Sequence, residues 1–293
     1  MTWRVGLIFV ALCLIWGLPY FFIKLALTGL PPAGVAWGRI ALGAAILLPV
    51  AWKRGTLSEL ARHKGAVCAF AFAELIGPFV LIAVGERWVS SSLAGILIAT
   101  VPLMVIAISP LFGVHERLSG RRLGGLVIGF LGVVTLLGID VVQGPSWWAG
   151  VACVGIATVG YALGSLIVQR HLSDVDELAA VAASLTIATV VLLPAAALTV
   201  PHVVPTPLVL GSLLVLGTIC TALAMWLYFF LIAEIGAARA AVITYVNPAV
   251  AALLGVFILH ESFGLGSALG LVLILLGSWL ATQRRVPEQV SDS

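Results

Sequence analysis

The sequence predicts an all-α polytopic membrane protein of ten transmembrane helices, arranged as two inverted five-helix repeats. Three observations carry this expectation. Hydrophobic residues make up 62 % of the 293 residues and charged residues only 9 %, against about 25 % charged in an average soluble domain. With so little polar surface the chain must be solvated by lipid. Ten apolar runs are each long enough to cross the hydrocarbon core, which takes about 20 helical residues. Finally, the first half recurs in the second at an offset of 145 residues. Trp16 to Pro49, opening WGLPYFFIK, returns in outline as Tyr161 to Pro194, opening YALGSLIVQ; His115-Glu116 is matched by His260-Glu261, and Gly125 and Gly132 by Gly270 and Gly277.

Taken in order, the spans are expected near 5–23, 34–52, 66–84, 94–112, 123–139, 148–168, 178–199, 208–230, 240–259 and 264–281. The first follows Arg4 but has no small-x-small cleavage site; it is broken at Gly17-Leu18-Pro19 and closed by Lys24, so it reads as a retained span. The second carries Arg39 about two turns deep, and the third carries Glu74 near its middle with Pro78 one turn on. Thr100 and Pro102 interrupt the fourth, and Gly125 and Gly129 are spaced for close packing on the fifth. In the second half Tyr161 lies in the sixth span, Pro194 in the seventh, Trp226 in the eighth, and Thr244, Tyr245, Asn247 and Pro248 in the ninth. Gly266 and Gly270 repeat the small-residue spacing on the tenth. The connections are short and carry turn residues: Pro31-Pro32, Gly144-Pro145, and Pro201 to Pro207.

Five spans per half is an odd number, so the second half enters the membrane from the side opposite to the first. The repeats are therefore expected to be inverted about a pseudo-two-fold axis in the membrane plane, the arrangement that places a site at mid-membrane. Placing both termini in the cytoplasm puts 12 of the 15 Lys and Arg residues on that side and leaves Lys24 and Arg87 outside, with Arg39 inside a span. This is the bias that sets topology. Cys13, Cys68, Cys153 and Cys220 stand singly in apolar runs without metal or disulfide spacing, and read as small core residues.

Trp16-Gly17 with Lys24 and Arg39, the Pro102 span followed by His115-Glu116-Arg117-Leu118, and Asn247-Pro248 followed by His260-Glu261-Ser262 resemble the EamA domain of the drug/metabolite transporter superfamily, twice over. The resemblance covers about residues 6–139 and 149–282 and leaves 283–293 as a cytoplasmic tail. It implies two five-helix repeats in a secondary transporter of the cytoplasmic inner membrane, often an exporter of amino acids or related metabolites, without a bound cofactor. The second half departs from the pattern with Tyr161-Ala162 for Trp-Gly and Gln169 for Lys.

An ionisable group at mid-membrane costs free energy unless it faces the bundle interior or a wet cavity. Glu74 is therefore a candidate proton-coupling or cation-binding carboxylate, or else an interhelical partner for Arg39. Arg39 is a candidate for holding a substrate carboxylate bidentately, or for satisfying carbonyls freed at Pro19. Lys24 reads as a snorkelling anchor near the outer interface. Trp16, Tyr161, Trp226 and Tyr245 lie at span centres, with Thr100, Thr244 and Asn247 at similar depth, and are candidates to line a path; helix packing is the plainer role for any one of them. Trp3, Trp37, Trp52, Trp88, Trp147, Trp148 and Trp279 fall near span ends, where an interfacial belt accounts for them.

Gly17, Pro19, Pro102 and Pro248 are candidate gate or hinge positions, because a proline removes a helix hydrogen bond and bends the chain; the fifth and tenth spans are expected to pack together, off the path. The two His-Glu pairs would stand on opposite faces of the membrane, so they are expected to cap short turns rather than to form one site. No constellation of His, carboxylate and nucleophile falls within the spans, so an enzyme is not expected. The expected partners are the lipid bilayer, a small-molecule substrate and protons as coupling ion, with no nucleic acid and with a monomer sufficient. The reading is an alternating-access exporter of a small amphipathic metabolite such as an amino acid; a broad drug or organic-cation exporter, and a channel, are the alternatives.

Overall fold

The structure, a computed structural model, describes residues 3–112, 120–138, 145–235 and 241–282, and these are helical throughout apart from short turns, with no strand among the described residues. Among the described residues, eight helices are long and apolar enough to cross a membrane: α1 (Trp3–Ala26), α2 (Pro32–Arg54), α3 (Lys64–Gly85), α4 (Ser91–Phe112), α5 (Gly120–Leu137), α6 (Pro145–His171), α7 (Glu177–Leu198) and α8 (Pro207–Leu231). Two shorter apolar helices follow, α9 (Ile243–Phe257) and α10 (Leu265–Ala281). Helices are the form such apolar runs must take, since lipid offers no partner to a free backbone group.

Local chemistry sets the ends. Pro32 and Pro207 stand in the first turns of their helices, where a missing N–H costs nothing. Ser90, Asp176 and Thr206 accept from the backbone N–H of Leu93, Ala179 and Val209, satisfying donors that the first turn leaves free. Gly55 ends α2 at φ 74°, a left-handed conformation suited to glycine.

Four helices are interrupted. α1 bends at Leu18, between segments Trp3–Gly17 and Pro19–Ala26. α4 breaks at Ala99 and Thr100 and restarts at Val101 with Pro102 in its first turn. In α3 the stretch Ala71–Ile76 is π-helical, and in α8 the stretch Val215–Leu223 is as well. Moved by 145 residues, the first of these falls wholly inside the second. In α3 the cause is local: Pro78 cannot donate, its ring would press on the carbonyl of Glu74, and the wider turn relieves this while Gly77 donates five residues back to Phe72. The start of α9 is irregular too, with Ala241–Tyr245 in 3-10 form before Asn247 and Pro248 open the α-helical part.

The helices pair in a regular scheme. α5 lies along α10, α2 against α7, α4 against α9, and α3 against α6 as α1 is against α8. Two further pairings return when both helices are exchanged for those five places away: α2 with α8 as α7 with α3, and α1 with α9 as α6 with α4. The α5–α10 crossing is made of glycine. A Cβ on Gly125 would stand 2.7 Å from the Gly277 carbonyl, one on Gly270 would stand 3.0 Å from the Gly132 carbonyl, and one on Gly277 would stand 2.3 Å from the Gly129 nitrogen. Backbones this close gain dispersion contacts that larger residues would prevent.

Gly277→Ala should therefore force α5 and α10 apart, lowering stability by about 1–3 kcal/mol, whereas Gly124→Ala, with nothing within 4 Å of its Cβ, should be neutral or stabilising. Thermal unfolding of the two purified variants in one detergent checks the contrast.

Candidate functional site

Arg39 enters from the middle of α2 and is 8 % exposed. Its Nε donates to Thr221 Oγ1 at 2.9 Å, and its guanidinium carbon lies 4.0 Å from the centre of the Phe79 ring. Thr221 belongs to the π-helical stretch of α8, and its hydroxyl donates to the Leu216 carbonyl five residues back. The wide turn thus presents a hydroxyl oxygen to the arginine, while the aromatic face balances the cation from α3. The expectation that Arg39 would satisfy carbonyls at Pro19 is corrected: it serves the irregular turn of α8, because that turn, and not the bend in α1, approaches α2 at this depth. Gly217 permits the approach, with a Cβ there 3.1 Å from the Arg39 carbonyl.

Glu74 stands in the matching π-helical stretch of α3. Its side chain lies across Gly164 of α6, where a Cβ would fall 2.2 Å from Oε2, and this Oε2 is buried without a hydrogen-bond partner. One turn away, a Cβ on Gly160 would stand 2.7 Å from the Ala73 carbonyl and 2.9 Å from Pro78. Gly160 and Gly164 together form a small-residue seam that lets α6 close on the kinked part of α3. Sequence reasoning passed over this seam, although its spacing is legible as Gly-Tyr-Ala-Leu-Gly. Tyr161 sits between those glycines, within electrostatic reach of both Arg39 and Glu74. Arg39 and Glu74 form no ion pair within 4.0 Å of each other; the described pair that meets that distance is His63 with Asp174 at 3.6 Å, at the turns joining α2 to α3 and α6 to α7.

The other expected site residues divide. Trp16 packs against Tyr228 of α8 with ring centres 4.7 Å apart and planes tilted by 53°, and Tyr228 is within electrostatic reach of Glu74. Gly17 and Asn247 meet: a Cβ on Gly17 would stand 3.0 Å from the Asn247 carbonyl and 2.4 Å from Val250. With its amide oriented to donate, the Asn247 nitrogen reaches the carbonyls of Cys13 at 3.2 Å and Ile243 at 3.0 Å, so it stitches the start of α9 to α1. Pro19, Pro102 and Pro248 each open a helical segment just after an interruption. Thr100 is buried with its hydroxyl turned back to the Leu97 carbonyl. Tyr245 donates to the Ser278 carbonyl at 3.2 Å, and Ser278 Oγ donates to the Ala99 carbonyl at 3.3 Å, so α10 ties together the irregular parts of α4 and α9.

Trp226 does not join this group. It is 56 % exposed and shares a face of α8 with the exposed Ile219, Leu223 and Phe230; their spacing puts them on one apolar stripe, directed away from the neighbours that bury Thr221 and Ala224. Trp37 donates through its indole to the Thr189 carbonyl of α7 at 3.1 Å. Lys24 is no free anchor either: its ammonium donates to the carbonyls of Glu86 at 2.5 Å and Val89 at 2.7 Å, fastening α1 to the end of α3. Glu261 does cap a helix, as expected of its type, but a distant one, accepting from the backbone N–H of Ser91 at 2.7 Å and Ser92 at 3.0 Å at the start of α4. His115 and Glu116 lie outside the described residues. Among the described residues, sequence reasoning missed Thr221, Phe79, Tyr228 and Glu86, which carry no motif and take their roles from neighbours far away in the chain.

A helical bundle with a buried cation on α2 and a buried carboxyl oxygen without a hydrogen-bond partner on α3 has the polar interior that membrane transporters use. Comparison with known proteins decides the family. The EamA-like transporter family matches this chain twice, over residues 3–138 and 148–283. The chain belongs to the EamA-like transporter family. The uncharacterized inner membrane transporter YedA of Escherichia coli (strain K12) is 31 % identical over 288 residues, covering 92 % of this chain and 90 % of YedA. An uncharacterized transporter of Archaeoglobus fulgidus is 26 % identical over 92 % of this chain and 95 % of its own, and YoaV of Bacillus subtilis (strain 168) is 25 % identical over 95 % and 97 %. A solved crystal structure aligns with a TM-score of 0.68 over 96 % of this chain and 97 % of that one, at 21 % identity, a likeness of fold. This EamA-like chain is thus a multi-pass membrane transporter rather than an enzyme by kinship.

Thr221→Val should leave the Arg39 Nε without its acceptor inside the bundle and lower stability by roughly 1–3 kcal/mol. Thr218→Val removes only a hydroxyl bonded within its own helix and should change little; thermal unfolding of both variants measures the difference.

Proposed function

We propose that the chain is a secondary carrier working by alternating access, built from two five-span repeats (6–139 and 149–282) related by a two-fold axis in the membrane plane, with both termini cytoplasmic in the inner membrane. The observation that carries this reading is the pairing scheme: the principal helix contacts return for the helices five places on, and the π-helical stretches holding Glu74 and Thr221 sit at the same place in the two halves. A self-complementary crossing such as that of α5 with α10 is what a two-fold relation produces. It gives an axis about which one set of helices can rock against the other.

The proposed cargo is a small amphipathic metabolite such as an amino acid, moved outward with protons as the coupling ion. Arg39 and Glu74 support the choice, because a cation and a carboxyl group that do not neutralise each other suit the two ends of a zwitterion, with Tyr161 between them. Trp16, packed against Tyr228, offers the apolar part of the cargo a wall. Gly17, Pro19, Pro102 and Pro248 are the proposed hinges, each beside an interruption of the helix. A second reading has an observation of its own: the partnerless Glu74 oxygen near two tyrosines would equally take an organic cation.

Counterflow in proteoliposomes separates these readings. Amino acids should exchange across the membrane, and Glu74→Gln should abolish the pH-driven component while leaving exchange at equal pH measurable. Arg39→Lys should raise KM for carboxylate-bearing substrates by about tenfold or more, the loss of a bidentate partner, and leave amine exchange unaltered. Exchange of amines alone would favour the organic-cation exporter, and flux without counterflow would favour a channel.

A further inference from the structure

The turns joining α2 to α3 and α6 to α7 meet at the end of the bundle that the proposed orientation puts in the cytoplasm. One turn belongs to the first proposed repeat and the other to the second, so their contact crosses the boundary between the halves. The first turn is a 3-10 helix over Thr56–Arg62 that follows Gly55 in the left-handed conformation. Its Leu60 is buried in one apolar cluster with Val67 of α3, Leu172 and Val175 of the second turn, and Leu178 of α7. Two polar contacts complete the meeting. His63 Nε2 lies 3.6 Å from Asp174 Oδ2, and Thr56 Oγ1 donates to Asp176 Oδ1 at 3.5 Å.

A cleft of about 410 Å3 opens over the pair, lined by Ser58, Glu59, Arg62, His63, Asp174 and Val175. The side chains of His63 and Asp174 are 26 % and 69 % exposed, so the imidazole exchanges protons with water while the turns stay closed. An ion pair this open contributes little to folding. A weak tie suits a contact that opens and closes once per cycle, since a strong one would hold the chain in a single state.

The charges about His63 leave Asp174 as its counterion. Glu59, Arg62 and Lys64 flank it in sequence, and Lys53 and Arg54 end α2. From the facing elements come Arg170 and His171 at the end of α6, Asp174 on the turn, and Asp176 and Glu177 at the start of α7. Arg170 is turned to the Phe112 carbonyl of α4, and Asp176 is engaged by the Ala179 N–H and by Thr56. Among the described residues Asp174 alone forms an ion pair with the imidazole.

The same junction exists at the other end of the bundle without charge. Moved by 145 residues, His63 falls on Leu208 and Asp174 on Gly29, and there a Cβ on Gly29 would stand 3.1 Å from Val209. The fold therefore makes this contact from apolar residues at one end, and the ion pair at the other is not needed to build it.

We propose that His63 and Asp174 form a proton-sensitive latch between the cytoplasmic ends of the two repeats, engaged when His63 is protonated and released when it is neutral. Its place in transport rests on the alternating-access reading above, while its opening and closing belong to the two turns alone.

Double electron–electron resonance on the full chain in lipid nanodiscs tests it. Spin labels go on Ala61→Cys and Ser173→Cys, both exposed and neither in the pair, with the less buried natural thiols removed by Cys68→Ser and Cys153→Ala. Two label separations are expected, the shorter dominant at about pH 5 and the longer gaining by about pH 8, the limits of the histidine range. Asp174→Asn should lower the ratio of short to long separations at the acid end by about two- to fivefold, the size an exposed ion pair allows, and flatten the pH dependence. His63→Gln should do the same from the other side. A single separation at every pH, or a pH dependence that survives in both variants, would overturn the latch. Counterflow in proteoliposomes judges the carrier reading separately: flux without counterflow beside a pH-dependent separation would end that reading and keep the latch, whereas counterflow with one fixed separation would end the latch alone.

Discussion

The Arg39 guanidinium is buried among apolar helices where water does not reach from the lipid side, and much of the surrounding architecture answers its need for partners. Three helices supply them. α8 widens into a π-helical turn whose Thr221 hydroxyl accepts from Nε, α3 lays the Phe79 ring against the cation, and Gly217 lets the α8 backbone come up to α2. A charge in such a place is expensive unless it is fully engaged or used. Glu74 provides the counterweight on the other π-helical turn, close enough to share Tyr161 with Arg39 but not close enough to neutralise it. The centre of the bundle therefore holds unspent charge, which is a useful property in a protein that must bind and release cargo.

Irregular helices and close helix crossings are two sides of one arrangement. Where α1, α3, α4, α8 and α9 lose regular hydrogen bonding, another group takes up the freed backbone or holds the break in place: Asn247 reaches Cys13 and Ile243, Ser278 reaches Ala99, and Lys24 reaches the end of α3. The helices α5 and α10 are unbroken, and their glycine crossing is dense.

Glu261 shows how a contact read as local in sequence can act across the fold. Glu261 belongs to a His-Glu pair that reads in sequence as a local cap, yet its carboxylate crosses to the first turn of α4, where the helix N-terminus and two serines receive it. Long-range capping of this kind joins the α9–α10 turn to the α3–α4 turn.

Composition and hydrophobic run length alone determined that the chain lives in lipid as a bundle of helices, and the residues of the paired motifs pointed to the family that the comparisons bear out. Proline marked the break in α4 and the kink in α3, because its missing N–H acts within one turn of its own position. Glycine spacing foretold the α5–α10 contact for the same local reason. Tertiary structure decided the rest. That Trp226 faces outward, that Arg39 answers to Thr221 instead of the bend at Pro19, that Glu74 rests on Gly164, and that Glu261 caps α4 are outcomes of helix rotation and of contacts between residues ninety or more positions apart. In a helix that is apolar all round, no periodicity marks which face turns inward; only the neighbouring helices fix it.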